Sequence, residues 1–475
     1  MQPSTHLLVK SALATLALAA LGLAVTQPAA AQTINTLPGL SYSVGNYRMP
    51  LPLFQSLPFS FVSASSFTQV TATPNAAATI HLAGSARADC DKERGKARYL
   101  YIWAGDQART APDFVSVIDF DEDSKHYGRV LRTVPGPTSG NEAHHMHLSA
   151  DGNTLGCGGL LSLLRGQDGI FFFDVSTPDH PVFLKSASAP LSAVTDDFYP
   201  LAEGGFLVTQ MGSNTGGAPG RVAEFDADLD LVKEWPETPP TDGFNPHGIS
   251  VRPEINLMVT SDFLNPMTTL NVWSGPVELR ASVRVWDFKK RTIVRTIPVT
   301  GGHGTMDVKL IPGDPQRRAY VCDTFGGHVF LVNTVTGTSQ PVFDANDVNP
   351  NGPFASPQLL EMPASGDRLI FSLFQTGQVV MLDVSDRAHP KILSMVELGA
   401  GAGPHDIELT EDGKRLVVTD YFLNEDDFGK VHFEGDHKVH VIKIGRSKLE
   451  LDRRFNLDFN TAFARPARPH GIAIK

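Results

Sequence analysis

The sequence is poor in cysteine. Three cysteines in 475 residues, Cys90, Cys157 and Cys322, exclude a disulfide framework, because an odd number leaves at least one thiol unpaired. Cys157 and Cys322 fall in apolar, strand-like runs and read as small buried hydrophobes. Paired Cys spacings for zinc, a redox dithiol or c-type haem are missing. So are a GxSxG nucleophile elbow, a P-loop and an HExxH helix. Basic residues are scattered and the net charge is −11, so no nucleic-acid partner is expected. Beyond residue 25 no stretch approaches the roughly 20 apolar residues of a membrane helix, and no membrane span is expected. The one long apolar run, ALATLALAALGLAV at 12–25, follows Lys10 and precedes Ala-Ala-Ala at 29–31. A short apolar run before an AxA site reads as a secretory signal peptide over 1–31, which implies export and a periplasmic location. With no twin arginine, export is expected by the general, unfolded route.

Helical periodicity is scarce as well. Residues 32–96 are rich in Ser, Thr, Pro, Ala and Phe and read as an irregular N-terminal extension. From 97 to 475 short apolar or alternating runs recur, among them GIFFFDV, NLMVTSDF, SVRVWDF, HVFLVN, QVVMLDV and RLVVTDYF, punctuated by Gly, Pro, Asn and Asp. This is a β pattern throughout.

The runs repeat. PHDIELTEDGKRLVVTDYF (404–422) has counterparts in HHMHLSADGNTLGCGGL (144–160), PHGISVRPEINLMVTSDF (246–263), GHGTMDVKLIPGDPQRRAYVCDTF (302–325), PQLLEMPASGDRLIFSLF (357–374), DFYPLAEGGFLVTQ (197–210) and RPHGIAI (468–474). One position, the slot, opens each unit: His144, Asp197, His247, His303, Gln358, His405 and His470. Apolar residues follow at +2 and +4 in six of the seven units, the His303 unit matching with one extra residue, and this places each slot at the leading end of a strand. Seven slots about 47–65 residues apart match the length of a four-stranded propeller blade. The last unit stops after one strand, and the first group of strands (97–133) lacks a slot strand. An all-β, seven-bladed β-propeller closed by the C-terminal strand satisfies both, since the strand covers an otherwise open edge.

First strands of blades line the channel of a propeller, so slot residues converge on its axis. Five of seven are histidine, against 16 histidines in 475 residues. Imidazoles from separate blades on a stiff scaffold suit copper, zinc, iron or nickel with open coordination positions. The expected metal ligands are His144, His145, His247, His303, His405 and His470. His147 is a further candidate, although adjacent strand residues face opposite ways. Asp197 and Glu142 are candidate proton acceptors by position. Asp106, Asp262, Asp323 and Asp420 end second strands; orienting imidazoles and capping turns fit them equally. Any one channel histidine alone fits a hydrogen bond to a neighbouring blade as well as a ligand role. HFEGDHKVH (432–440) reads as a solvated hairpin loop.

The chain resembles the selenium-binding protein / methanethiol oxidase family. The likeness covers roughly 140–440 and rests on EAHHMH (142–147), GIFFFDVSTPDHPVFLK (169–185), VTQMGSNTGGAPGRVAEFD (208–226), INLMVTSDFLNP (255–266), SVRVWDFKKRTIVRTI (282–297), LIFSLFQTGQVVMLDVSDRAHPKIL (369–393) and GPHDIELTEDGKRLVVTDYF (403–422). The resemblance implies a propeller and, in oxidase members, copper and the oxidation of methanethiol by oxygen to formaldehyde, hydrogen peroxide and sulfide. A small sulfur-containing substrate is then expected, with oxygen or a periplasmic electron acceptor taking the electrons. The family pattern has a cysteine pair after the HH motif, where this chain has only Cys157, which puts selenium binding in doubt. A histidine ring opened by an HH pair is also similar to the copper propellers of nitrous oxide reductase and thiocyanate dehydrogenase. No cupredoxin domain follows the propeller, which sets it apart from the former. A non-catalytic propeller that binds metal or a partner is the alternative of a different class.

Overall fold

The computed structural model of the chain describes residues 41–44, 47–50, 96–270, 276–349, 352, 354–420, 423–424, 432–433 and 435–475. The expected signal peptide at 1–31 lies outside the described residues, as does most of the extension at 32–96. Backbone contacts divide the chain into two units, one of them Thr26–Lys96. Within that unit Ser41–Val44 pairs antiparallel with Tyr47–Pro50.

Among the described residues, 97–475 hold seven antiparallel sheets that are the blades of a propeller, besides the short pair Leu423–Asn424 and His432–Phe433. The innermost strands of blades 2 to 7 are Ala143–Leu148, Ser192–Pro200, Pro246–Arg252, Thr305–Leu310, Pro357–Glu361 and Pro404–Leu409. Blade 1 takes its innermost strand from the C-terminus: Ala467–Ile474 pairs with Tyr99–Asp106, in the register Leu100↔Ile474 and Ile102↔Ile472. The N–H groups of Arg98 and Tyr99 both donate to the Lys475 carbonyl. The ring is thus closed by hydrogen bonds, and the edge of blade 1 is covered.

Continuous apolar runs arise because each blade is buried on both faces. In Ile170–Asp174, Phe171 and Phe173 point to one side and pack on Trp103 of blade 1 at ring distances of 5.6 and 5.7 Å. Phe172 points to the other side and meets Phe206 and Phe225 of blade 3 at 5.9 and 5.4 Å. Side chains alternate with a period of two, yet both faces need apolar residues, so the strand reads FFF. All three rings are fully buried, each contributing roughly 2–3 kcal/mol of transfer free energy.

Two recurrent devices fix the channel. Every innermost strand carries a bulge at the same place; Pro246 pairs with Asp262 but Ile249 pairs with Thr260, and the other six strands repeat this shift. The extra residue turns two consecutive side chains toward the axis instead of one. In addition, a hydroxyl on the second strand of one blade donates to a carbonyl at the bulge of the next. Thr209 reaches His247 at 2.6 Å, Ser261 reaches Met306 at 2.6 Å, Ser372 reaches His405 at 2.8 Å and Thr419 reaches His470 at 2.5 Å.

Candidate metal centre

The bulges and hydroxyl ties define which residues are equivalent around the ring. Pro246 faces Asp262, Thr305 faces Asp323 and Pro404 faces Asp420, and the axis-facing residue follows each. It is His247, then Met306, then His405. Met306 therefore occupies the place expected for His303. His303 lies in the preceding loop, exposed, its N–H donating to Asp323 Oδ1. It is not part of the channel cluster. Likewise Thr195 faces Gln210, so Asp196 holds the position assigned to Asp197, and Asp197 comes one residue later. Asp196 is the residue that sequence reasoning missed.

Five imidazoles and one carboxylate converge. His144, His145, His405 and His470 place one nitrogen each within 4.8 Å of one another, and His144, His247 and Asp196 form a second such group. His145 Nε2 lies 3.1 Å from His405 Nε2. Asp196 lies among three rings, with Oδ2 at 3.2 Å from His144 Nε2 and Oδ1 at 3.2 Å from His145 Nδ1 and 3.1 Å from His247 Nδ1. The bulge brings His145 into the cluster beside His144, their rings stacked at 4.3 Å; strict alternation would have turned it away. Gln358 Oε1 sits 3.1 Å from His405 Nδ1 and orients that ring. His147 stays outside, its Nδ1 2.6 Å from the Leu148 carbonyl oxygen.

All six groups are 5% exposed or less, and burial governs their charge. Desolvation, joined by neighbouring imidazoles, pushes His144 down to about 4, and His405 and His470 well below the ordinary imidazole range. Desolvation pushes His247 down to about 3, although Asp196 opposes it. His145 is the exception: desolvation pulls it down, but Asp196 raises it, to about 9. Burial alone would raise Asp196, yet His247, His145 and His144 hold it well below the carboxylate range. Four imidazoles are thus neutral at neutral pH, and one carboxylate supplies negative charge beside them. Neither oxygen of Asp196 nor Nδ1 of His247 satisfies hydrogen-bond geometry. Neutral imidazoles and a carboxylate, convergent but not aligned with one another, fit a borderline transition-metal cation.

The cluster lies between an apolar side and a polar one. Phe263 packs edge-on against the His247 ring at 5.1 Å, and Met211, Phe263, Leu160, Leu161 and Met306 share one buried cluster. The other side is a pocket of about 270 Å³, lined by His145, His247 and a second level of acids. Asp197, Asp307 and Asp406 each follow an axis-facing residue and bridge blades: they accept N–H bonds from Ile249, Leu360 and Ile472 at 3.0, 2.8 and 3.1 Å. Both oxygens of Asp197 are used, the other accepting from its neighbour Phe198. Burial, with help from Asp307, pushes Asp197 up to about 6.

Glu142 is elsewhere. Its carboxylate is held by Arg468 Nη1 at 3.0 and 3.2 Å, a buried tie between blades 1 and 2, and it does not line the pocket. Asp106, Asp262, Asp323 and Asp420 cap loops by accepting backbone N–H groups of Thr110, Asn245, His303 and His437. Turn capping, one of their two expected roles, accounts for them.

The sequence profile of the 56 kDa selenium-binding protein family matches residues 83–475. The chain belongs to this family. Among curated relatives of this selenium-binding protein family member, methanethiol oxidase of Rattus norvegicus is 22% identical over 428 residues, covering 76% of this chain and 89% of the relative. The Homo sapiens methanethiol oxidase is also 22% identical, over 426 residues, with the same coverage. Among solved structures, a hypothetical selenium-binding protein from Sulfolobus tokodaii superposes with a TM-score of 0.67 at 15% identity, covering 80% of this chain and 94% of that one. A periplasmic gluconolactonase of Pseudomonas aeruginosa gives 0.53 at 13% identity, covering 79% and 98%. Such likenesses establish the propeller and leave the chemistry to the residues. Cys157 is fully buried, its Sγ 3.8 Å from Met146 Sδ, and burial pushes its thiol up. Blade 2 therefore presents no accessible thiolate in this family member.

Proposed function

We propose that this protein is an exported, copper-dependent oxidase of a small sulfur compound, with methanethiol as the first substrate to test. The observation that carries the proposal is the convergence of His144, His145, His247, His405 and His470 with Asp196. The names of the relatives give the substrate its priority. A periplasmic location rests on the leader-like sequence at 1–31. Copper bound there would take electrons from the substrate and pass them to oxygen or a periplasmic acceptor, and its softness suits a sulfur ligand. With oxygen, methanethiol and water would yield formaldehyde, hydrogen sulfide and hydrogen peroxide. The chain's own part is to hold four of the imidazoles neutral, to pack the apolar Phe263 ring against His247, and to admit the substrate beside His145 and His247. Asp197 lines that pocket and is the better placed of the two proposed proton acceptors; Glu142 is committed to Arg468.

Elemental analysis of the mature protein, beside a variant with His247→Ala and His405→Ala, tests the proposal. Stoichiometric copper that the variant lacks, together with methanethiol-dependent oxygen uptake, supports it. A wild type that stays metal-free after exposure to copper salts sinks it.

A further inference from the structure

The pocket beside the cluster has a charge pattern that metal binding alone does not require. Asp197, Asp307 and Asp406 line one level of it; Glu361, Glu408 and Lys309 line the next. Lys309 is the one permanently cationic side chain among the described lining residues, and it is committed: Nζ lies 2.9 Å from Glu361 Oε1. Five carboxyl groups thus face one ammonium group in a narrow, partly desolvated space. Burial, then Glu361 and Asp406, push Glu408 well above its ordinary range. At the inner end, His247 is 2% exposed, and its Nδ1 makes no aligned hydrogen bond. Phe263 lies edge-on to the His247 ring at 5.1 Å and shares a buried apolar cluster with Met306. Among the described residues, the pocket gives a small molecule a route to His145 and His247 past these acids.

We infer that this acid-lined pocket is the access path to the imidazole cluster, and that it passes uncharged and cationic small molecules while excluding anions. The inference deepens the function proposed above and rests on its metal site. An entering anion meets the same field that raises Glu408, and low-dielectric walls strengthen that field. Neutral thiols such as methanethiol belong to the admitted class. Thiocyanate and other small pseudohalide anions belong to the excluded one, although their sulfur or nitrogen would suit the same metal. Lys309 does not reverse the selection, because its charge is balanced by Glu361.

Azide binding to the copper-loaded protein tests the path without turnover. The dissociation constant is read from the change in visible absorption, at low and high ionic strength, in the wild type, in Glu408→Gln and in Glu361→Gln. Imidazole serves as the uncharged probe. The inference expects Glu361→Gln, which removes a carboxylate and frees Lys309, to bind azide about tenfold more tightly than wild type at low salt, with imidazole unchanged. Added salt should tighten azide binding in the wild type more than in the variant. Glu408→Gln provides the second arm: burial and acidic neighbours already favour the protonated acid there, so it should tighten azide less than Glu361→Gln. Copper-loaded variants with wild-type azide affinity and no salt effect would overturn the access path and leave the copper site standing. A protein that takes up no copper would overturn both.

Discussion

Nε2 of His145 and Nε2 of His405 lie 3.1 Å apart although 260 residues separate them in the chain. They come from blades 2 and 7, and His470 of the closing strand packs against both, with ring centroids 5.5 Å from His145 and 5.0 Å from His405. Ring closure and assembly of the cluster are therefore one event. A metal held here should depend on residues from distant parts of the chain and be indifferent to His303, which sits in an exposed loop. His247→Ala and His405→Ala are each expected to lower bound copper to a small fraction of the wild-type content, and His303→Ala to leave it unchanged. Metal-to-protein ratios after dialysis measure this, and a loss in His303→Ala equal to that in His247→Ala would refute the register derived from the bulges.

The hydroxyl ties give a sharper contrast. Ser372 donates to the His405 carbonyl and Ser261 to the Met306 carbonyl, at 2.8 and 2.6 Å, and both serines are fully buried. Either change to alanine leaves a buried carbonyl without that donor, at a cost of about 1–2 kcal/mol. Urea unfolding should give similar losses for the two variants. Ser372→Ala should weaken the metal more than Ser261→Ala, because the His405 imidazole belongs to the convergent group whereas the Met306 side chain packs in an apolar cluster. Equal metal affinity in the two variants would show that the tie stabilises the fold without positioning the imidazole.

The seven blades and four of the five convergent histidines, His144, His247, His405 and His470, were legible because period-two alternation recurs around a fixed histidine. The exceptions have local causes. In DDFYPL two adjacent aspartates fit the axis position, both registers place apolar residues downstream, and a slip of one residue exchanges the faces of a strand. Burial decides for Asp196: Phe198 is 3% exposed and belongs to the core. GHGT at 302–305 mimics PHGI at 246–249, but Gly304 has φ +90° and the strand begins only at Thr305. That turn, easy for glycine and costly for other residues, leaves His303 in the loop. His145 was expected among the ligands, but the turn that brings it beside His144 was not legible, because a bulge has no sequence signature of its own. The series Thr209, Ser261, Ser372 and Thr419 was visible as letters, but nothing in one strand reveals that its hydroxyl serves the next blade.

Asp113 gives a pH dependence with a definite sign. It is fully buried, and its Oδ2 accepts the Asn141 N–H at 3.0 Å. Burial, followed by the charge of Glu142, pushes it up from 3.8 to about 7, with Arg468 opposing. An acid whose pKa is higher in the folded state holds its proton more tightly there. Its contribution is complete below the unfolded value near 4 and declines as pH rises to about 7, above which the full penalty of ionising in place applies. Asp113→Asn keeps the carbonyl acceptor and removes the ionisation. Relative to wild type the variant should gain stability between pH 4 and pH 7, by an amount bounded at about 4 kcal/mol. Chemical denaturation of both proteins at pH 4.5 and pH 8 measures the difference. Parallel curves at the two pH values would show that Asp113 titrates normally in the folded protein.

The closing strand carries structure and site together, and the two can be separated. Ile472 is 2% exposed, pairs with Ile102 and packs in the core between blades 1 and 7. Its side chain offers nothing to a metal. His470, two residues earlier, is 2% exposed and belongs to the imidazole cluster. Ile472→Ala removes buried apolar volume and should cost roughly 2–5 kcal/mol. It should leave metal stoichiometry intact as long as the protein is folded. His470→Ala should lower metal affinity while leaving the metal-free protein about as stable as wild type, or more so, since it removes a desolvated imidazole from a crowded cluster. Thermal unfolding with and without copper resolves the two effects: Ile472→Ala lowers both transitions equally, and His470→Ala shrinks the gap between them, because a ligand that binds only the native state raises its stability in proportion to affinity. If His470→Ala preserved that gap, the metal would be held by His144, His145 and His405 without it, and the closing strand would be a clasp alone.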